Sequence, residues 1–426
     1  MISSVALQAL RDAAGDAAVR QHEAEPGPGG LKLDVTLEPH DGDALARVVR
    51  ALAERGLACV VRGGGTKLWL GNPPLRADVL LSTACLAGVD VLDADEGVTH
   101  VRAGTPVAEL RAAAHARGWE IALDPARAEA TVGGVIAASE VGPRLLGFGR
   151  PRDVVLGLEV VLGSGERTRC GGRVVKNVTG YDLAKLYAGS LGTLGVIEGA
   201  WLRLRARPER ERVLVAAVDG ESAAPLAATA ARSPNARCVA LVDARLAKAV
   251  ATSLGLQPGQ LLLAVELAGD AAGVEADETR LAAGCGASPT DTRLLDALRA
   301  VHGEPPGAGF LRFRVSFRRS TAAVTLRALR VGGAEVLAYP ESGLLLARFP
   351  LEPDADEPAL ARPLQGVAEA VRVGGGAALL EAAPDWAKAG RDAFGPAPAS
   401  LPLLCALKER WDPAGVLGPG RFVAGL

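Results

Sequence analysis

The run Arg62-Gly63-Gly64-Gly65-Thr66-Lys67 has the composition of an anion-binding loop. Glycine reaches positive φ and lets a ligand approach the backbone with no Cβ in the way. Successive backbone N–H groups facing one concavity form a nest for anions, phosphate above all. Thr66 adds a hydroxyl, and Arg62 and Lys67 add positive charge. The same residues would also serve an ordinary glycine-rich turn. Two common phosphate motifs do not fit. The pattern G-x-x-x-x-G-K-[ST] fails because Thr66 stands between Gly65 and Lys67. The pattern G-x-G-x-x-G fails at Leu68, and in GSLGTLG (189–195) it fails at Ser190. A dinucleotide here is held in some other way.

Two further blocks carry the same small-residue chemistry. LDPARAEATVGGVIAASEVGPRLLGFGRPRDVV (123–155) is loop-rich through Pro125, Gly133, Gly134, Gly142 and Pro143. It suits a flat or extended ligand, or equally a tight helix–sheet contact. KNVTGYDLAKLYAGSLGTLGVIEGAWLRL (176–204) is the longest distinctive stretch. The six cysteines (Cys59, Cys85, Cys170, Cys238, Cys285, Cys405) are scattered singly, with no CxxC pair. Neither a zinc site nor an iron–sulfur cluster is signalled, and most of these thiols are expected to be buried.

The elements that must position these loops follow from periodicity. Residues 3–20 can form a short amphipathic helix, and PGPGG (26–30) reads as a linker. Asp41 or Asp43 can cap a helix over 44–55, with Val48, Val49 and Leu52 on one face. The run 57–61 reads as a buried strand feeding the glycine loop, and 79–82 and 98–103 as further strands. Pro106 starts a helix that Gly118 ends. Segments 154–162 and 166–170 read as a hairpin, and 194–204 as a strand after a short helix at Tyr181 and Asp182. From 209 to 372, strand-like runs (213–218, 261–267, 310–317, 344–349) alternate with helical ones (223–231, 244–254, 275–283, 321–331), an α+β pattern.

The chain of 426 residues predicts two or three domains. Its 49% hydrophobic and 23% charged residues are ordinary for a globular protein. A net charge of −2 gives no support for nucleic-acid or anionic-membrane binding. The N-terminal stretch lacks the pattern of a secretory signal, and no apolar run is long enough to span a membrane. The expected location is cytoplasmic, with any association to the inner face of the membrane made through partners.

Four blocks in this order carry a resemblance: RGGGTK (62–67), DP…ATVGGVIA (124–137), KNVTGYDLAKLYAGSLGTLGVI (176–197) and LKERWDPAGVLGPGR (407–421). The chain resembles the FAD-binding domain of the vanillyl-alcohol oxidase / p-cresol methylhydroxylase (PCMH) superfamily, and within it the FAD-binding E subunits of bacterial glycolate oxidases (glycolate dehydrogenases). The likeness covers about residues 30–208 and the last 25 or so. It implies an α+β fold: a two-part PCMH-type FAD-binding domain plus an α+β cap domain, with the C-terminal segment returning to the FAD domain. The implied divisions are an N-terminal helix and linker at 1–29, the FAD domain at 30–208, the cap at 209–372 and the returning segment at 373–426.

The resemblance also implies site residues. Arg62, Gly63, Gly64, Gly65, Thr66 and Lys67 would hold the FAD pyrophosphate. Pro125, Thr131, Gly133, Gly134 and Ser139 would line the flavin and ribityl chain. Gly192, Thr193, Gly195, Val196 and Ile197 would contact the adenine and flavin edge through their backbone. Lys176 and Tyr181 are further candidates, or surface-turn residues.

The departures from the family pattern bear on function. Many relatives tether FAD through a histidine in the glycine loop; none lies in 57–70, so noncovalent FAD is expected. Leu191 replaces the glutamate of a GSEG sequence, and Gly418 the asparagine of an N-P-G-[KR] turn. The H-x-G-D-G-N-x-H motif of hydroxy-acid-oxidising relatives is missing from the sequence. The five histidines are His22, His40, His100, His115 and His302, and no two are spaced as a metal pair, so no metal site and no catalytic base is assigned. His302 reads as a solvated turn residue rather than a base. Arg312, Arg314, Arg318 and Arg319 read as an exposed strand face or a subunit contact, with a substrate-carboxylate fork as the alternative. The implied function is that of an FAD-binding subunit passing electrons from glycolate, or another 2-hydroxy acid, to an iron–sulfur subunit. Its implied partners are a homologous FAD subunit with the histidine motif and a cysteine-rich iron–sulfur subunit. Two alternatives stand beside it: a self-sufficient, D-lactate-like 2-hydroxy-acid dehydrogenase, and a non-catalytic scaffold.

Overall fold

The computed structural model describes residues 2–173, 182–248, 255–257, 259–307 and 309–426. The chain divides into two compact units: residues 1–140, 150–206 and 392–426 in the first, and 141–149 with 207–391 in the second. Among the described residues the strands form three sheets.

In the first unit, β1 (Val19–Pro26), β2 (Lys32–Leu37), β3 (Cys59–Arg62) and β4 (Val79–Ser82) form a sheet in the order β1-β2-β4-β3. Strands β2, β4 and β3 run parallel, and β1 pairs antiparallel with β2. The helix Gly42–Glu54 connects β2 to β3. Asp41 caps it, its Oδ1 accepting the Ala44 N–H at 2.7 Å. Its apolar face (Leu45, Val48, Val49, Leu52) packs on Val35, Leu37, Cys59 and Leu81, all buried. A crossover of this kind puts the C-terminal ends of parallel strands at one edge, so β3 delivers Arg62 and the glycine run there.

The second sheet of this unit contains β5 (Val89–Asp93), β6 (Val98–Arg102), β7 (Trp119–Ile121), β8 (Val155–Val161), β9 (Arg167–Gly171) and β10 (Val196–Ala206). Its order is β5-β6-β10-β8-β9, with β7 also on β10. The hairpin β8–β9 stands as its sequence predicts. Val161 and Val196 of this sheet join the core under the helix Gly42–Glu54, together with Val416 and Leu417 from the chain's last segment.

Two sequence expectations need correction here. The region 1–29 is not a helix plus linker. The helix spans Ser4–Ala14, and Val19–Pro26 is a strand of the first sheet. The strand is polar (VRQHEAEP) and lies at the sheet's edge, where alternation is weak and turn residues mislead. The boundary near 208 also has an exception, because 141–149 leaves the surrounding sequence and belongs to the second unit.

The second unit is an antiparallel sheet of β11 (Arg210–Val218), β12 (Ala236–Asp243), β13 (Leu261–Gly269), β14 (Ser288–Thr290), β15 (Phe310–Ser316), β16 (Glu335–Tyr339), β17 (Leu344–Pro350) and β18 (Ala378–Ala382). The order is β14-β11-β13-β12-β16-β17-β15-β18. Val141 and Leu145 pack into its core beside Cys238 and Ala240. Arg144 holds that segment by a bidentate pair with the buried Glu266, at 2.8 and 3.1 Å.

His302 and the arginines correct two more expectations. His302 is buried, not a solvated turn residue: it lies in the last turn of the helix Arg293–Gly303, with Nε2 2.8 Å from the Tyr339 hydroxyl. Arg312 is fully buried, and Glu381 bridges it to Arg314. Arg312 also donates to the Val301 carbonyl at 2.7 Å. Arg312 and Arg314 thus form an internal ion-paired cluster rather than an exposed strand face, while Arg318 and Arg319 are exposed as expected. Of the cysteines only Cys59 and Cys238 are buried, and the other four are half-buried. Burial pushes the Cys59 thiol up, with Asp412 adding to it, so it stays neutral.

Candidate functional site

The glycine loop lines a cleft in the first unit together with Val61, Leu68, Thr131, Gly134, Ala137, Ala138, Leu191 and Arg421. Four segments far apart in sequence meet there. β3 brings the loop, and the short helix Val132–Ala137 brings Thr131, whose Oγ1 accepts the Gly134 N–H at 3.3 Å.

Each glycine of the loop is required for a different reason. A Cβ on Gly63 would sit 2.2 Å from Thr131 Oγ1. One on Gly64 would sit 1.8 Å from the Glu129 carbonyl oxygen. Gly65 has φ of +75°, a conformation that L side chains resist. Among the described residues, the backbone N–H groups of Gly63, Gly64, Gly65 and Thr66 donate to no protein acceptor. They are open to an acceptor from outside, as a phosphate nest requires. Lys67 lies at the loop's end, with its ammonium 5.6 Å from the Trp69 ring centroid.

The other sequence candidates fall into three groups. Thr131 and Gly134 line the cleft with Gly63–Lys67. Arg62 does not; its carbonyl accepts the Thr83 N–H at 2.9 Å, and its side chain folds beside Gly65. Pro125, Gly133, Ser139, Gly192, Thr193, Gly195, Val196 and Ile197 also lie outside the lining. Gly133 is buried against Ala103, with its N–H on the Ala103 carbonyl at 2.8 Å. Gly192 (φ +76°) abuts Val61, and Gly195 abuts Val160. Thr193, Val196 and Ile197 are buried, and Thr193 Oγ1 donates to the Ser190 carbonyl at 2.7 Å. Ser139 takes φ of +44°, uncommon outside glycine. Pro125 is buried in the loop that Glu140 ties down through the Ala126 N–H at 3.0 Å. Lys176 and Tyr181 lie outside the described residues.

Sequence reasoning missed Leu191 and Arg421 as lining residues. Leu191 is held at φ +57°, with its N–H on the Ala137 carbonyl at 2.9 Å. Arg421 closes the turn at 418–421, its N–H donating to the Gly418 carbonyl at 3.1 Å. That turn is sewn to β3, where the Cys59 N–H donates to the Val416 carbonyl at 2.7 Å and the Gly418 N–H to the Cys59 carbonyl at 2.9 Å. Buried Lys408 fastens it further, donating to the carbonyls of Thr193 and Leu417 at 2.8 and 2.9 Å and to Asp412 at 2.6 Å. Asp412 in turn accepts the N–H groups of Val416 and Leu417. Only the resemblance to a C-terminal N-P-G-[KR] turn could have drawn attention to Arg421.

A cradle of open N–H donors, glycines packed to within contact, and two cations suits a dinucleotide's diphosphate. Residues 33–171 match the family model described as FAD binding domain. The cofactor is FAD.

The chain is 33% identical to glycolate oxidase subunit GlcD of Bacillus subtilis (strain 168) over 192 residues, 45% of this chain and 41% of that one. It is 37% identical to the D-lactate dehydrogenase of Archaeoglobus fulgidus over 170 residues, 40% of this chain and 38% of that one. It is 36% identical to glycolate oxidase subunit GlcE of Escherichia coli (strain K12) over 166 residues, 38% of this chain and 47% of that one. The chain thus spans less than half the length of each of these relatives. Crystalline p-cresol methylhydroxylase aligns with 98% of this chain and 96% of its own, at 17% identity and a TM-score of 0.72, and so shares the fold. The α+β, PCMH-type architecture stands. Among the described residues no helix is long and apolar enough to cross a membrane.

Proposed function

We propose that this chain is the FAD-binding subunit of a 2-hydroxy-acid dehydrogenase complex that oxidises glycolate, with the first unit holding FAD and the second serving as the cap. The open N–H cradle beside Lys67 and Arg421 carries this reading, because it is built for a diphosphate. Bound FAD supplies an acceptor for the hydride leaving Cα. This chain's own residues bind and orient the cofactor: the loop N–H groups take the anionic centre, and Gly63 and Gly64 keep the backbone close. The similarity to both GlcD and GlcE supports a complex of homologous subunits. In this reading a cysteine-rich iron–sulfur subunit receives the electrons.

The hydroxyl proton needs a base, and a positioned one contributes typically 10²–10⁴-fold. The sequence carries no histidine motif for it, and His302 is engaged with Tyr339 in the second unit's interior. The isolated chain, loaded with FAD and mixed anaerobically with glycolate or D-lactate, should therefore leave the flavin absorption band unbleached. Bleaching should begin when a partner subunit bearing the histidine motif and a cysteine-rich subunit are co-expressed and co-purify. The similarity to a D-lactate dehydrogenase favours the second reading, a self-sufficient enzyme. Rapid bleaching by the chain alone would establish that reading and overturn the first.

The loop contains no histidine to bond the flavin covalently, as residues 57–70 show. Acid precipitation of the purified chain should leave all flavin in the supernatant, with the mass of FAD. Flavin retained by the protein pellet would refute noncovalent binding.

A further inference from the structure

Arg421 combines three features that point to a missing anion. It is 4% exposed, and its Nη1 is buried with no hydrogen-bond partner. Among the described residues no carboxylate lies within ion-pair distance of it. Burial alone lowers its guanidinium to about 10. A buried cation without a counter-charge is costly, and such groups are ordinarily paired.

The local chain is shaped to keep the arginine there. Its Nη2 donates to the carbonyls of Leu68 and Leu70, both at 3.0 Å, so the guanidinium is anchored just past the glycine loop. Gly418 has φ of +51°, and a Cβ there would lie 3.0 Å from Arg421 Cδ. The glycine that departs from the N-P-G-[KR] pattern thus leaves room for the arginine's own stem. Gly420 has φ of +89° and packs on Leu75, which locks the other side of the turn.

We propose that Arg421 is a ligand of the FAD diphosphate, reaching across the cleft to the same anion that the N–H groups of Gly63–Thr66 hold. The inference rests on FAD as cofactor and is independent of which substrate is oxidised. Among charged donors an arginine is suited to phosphate by its planar fork. The diphosphate would supply the negative charge that the protein withholds.

The test separates the parts of the cofactor. The full chain, freed of flavin, is titrated calorimetrically with FAD, ADP and riboflavin, as wild type, Arg421→Met and Arg421→Lys. A lost charge-assisted bond predicts that Arg421→Met weakens FAD and ADP by a common factor of about 10- to 100-fold. Riboflavin, which has no diphosphate, should bind as before, and Arg421→Lys should recover part of the loss. Should Arg421→Met fail to fold, Arg421→Lys decides: weaker FAD and ADP with unchanged riboflavin supports the assignment. Unchanged ADP affinity, with or without a shifted flavin midpoint potential, would overturn it. So would an equal loss for all three ligands.

Discussion

A Thr66→Asp variant should fold and purify colourless. Thr66 already carries a Cβ and lines the cleft, so the change adds charge at a place where a side chain is accommodated. At about 4 Å and an effective dielectric near 20, one repulsive pair with the diphosphate costs about 4 kcal/mol. That is roughly a thousandfold in affinity. Thr66→Val, close in size and uncharged, should lose far less. Gly64 is a poorer place for the same experiment. Any side chain there meets the Glu129 carbonyl whether or not FAD is bound, so Gly64→Asp mixes steric and electrostatic effects. Gly64→Ala isolates the steric part and should itself displace the loop. The readouts are the flavin-to-protein absorbance ratio and an FAD titration. Wild-type affinity in Thr66→Asp would remove the diphosphate from this loop.

Glu381→Gln should destabilise the second unit by about 3–5 kcal/mol, because two buried or half-buried arginines then share no carboxylate. For a domain of this size that is a fall in Tm of very roughly 6–20 °C. Replacing Arg312, Arg314 and Glu381 together by apolar residues of similar volume should restore most of the loss, since the penalty lies in the unmatched charge. Differential scanning calorimetry distinguishes the two cases. A Glu381→Gln protein as stable as wild type would show that the cluster is matched in some other way.

The arginine cluster also shows where sequence reasoning stops. Arg312 and Arg314 lie two residues apart on β15, a spacing that places them on one side of a strand. Their partner, Glu381, is on β18, which neighbours β15 only through the folded sheet. Alternation alone could not tell a solvated row from a buried pair. His302 escapes sequence reasoning for the same reason: its stretch, AVHGEPPG, has turn chemistry, while the residue ends a helix and is buried against Tyr339 of β16. The glycine loop was legible because backbone conformation and close approach leave a mark in residue type. The third block was legible as a whole but not in detail. Its Gly192 and Gly195 serve packing under Val61 and Val160, and it is Leu191 that lines the cleft. Packing glycines and ligand-facing glycines look alike in a sequence.

The joining of residues 416–418 to β3 has a consequence for biosynthesis. The cleft takes the loop at Gly63–Lys67 from early in the chain and Arg421 from near the end of this sequence, with Cys59 bonded to Val416 and Gly418. At roughly 5–20 residues per second, the ribosome adds the second part on the order of 20–70 s after the first. During that interval the edge of β3 lacks the hydrogen bonds that Val416 and Gly418 later make with Cys59. The cleft as described is therefore complete only after residue 421 has been synthesised. A chain stopped before residue 416 would present an uncovered parallel-strand edge to its neighbours instead.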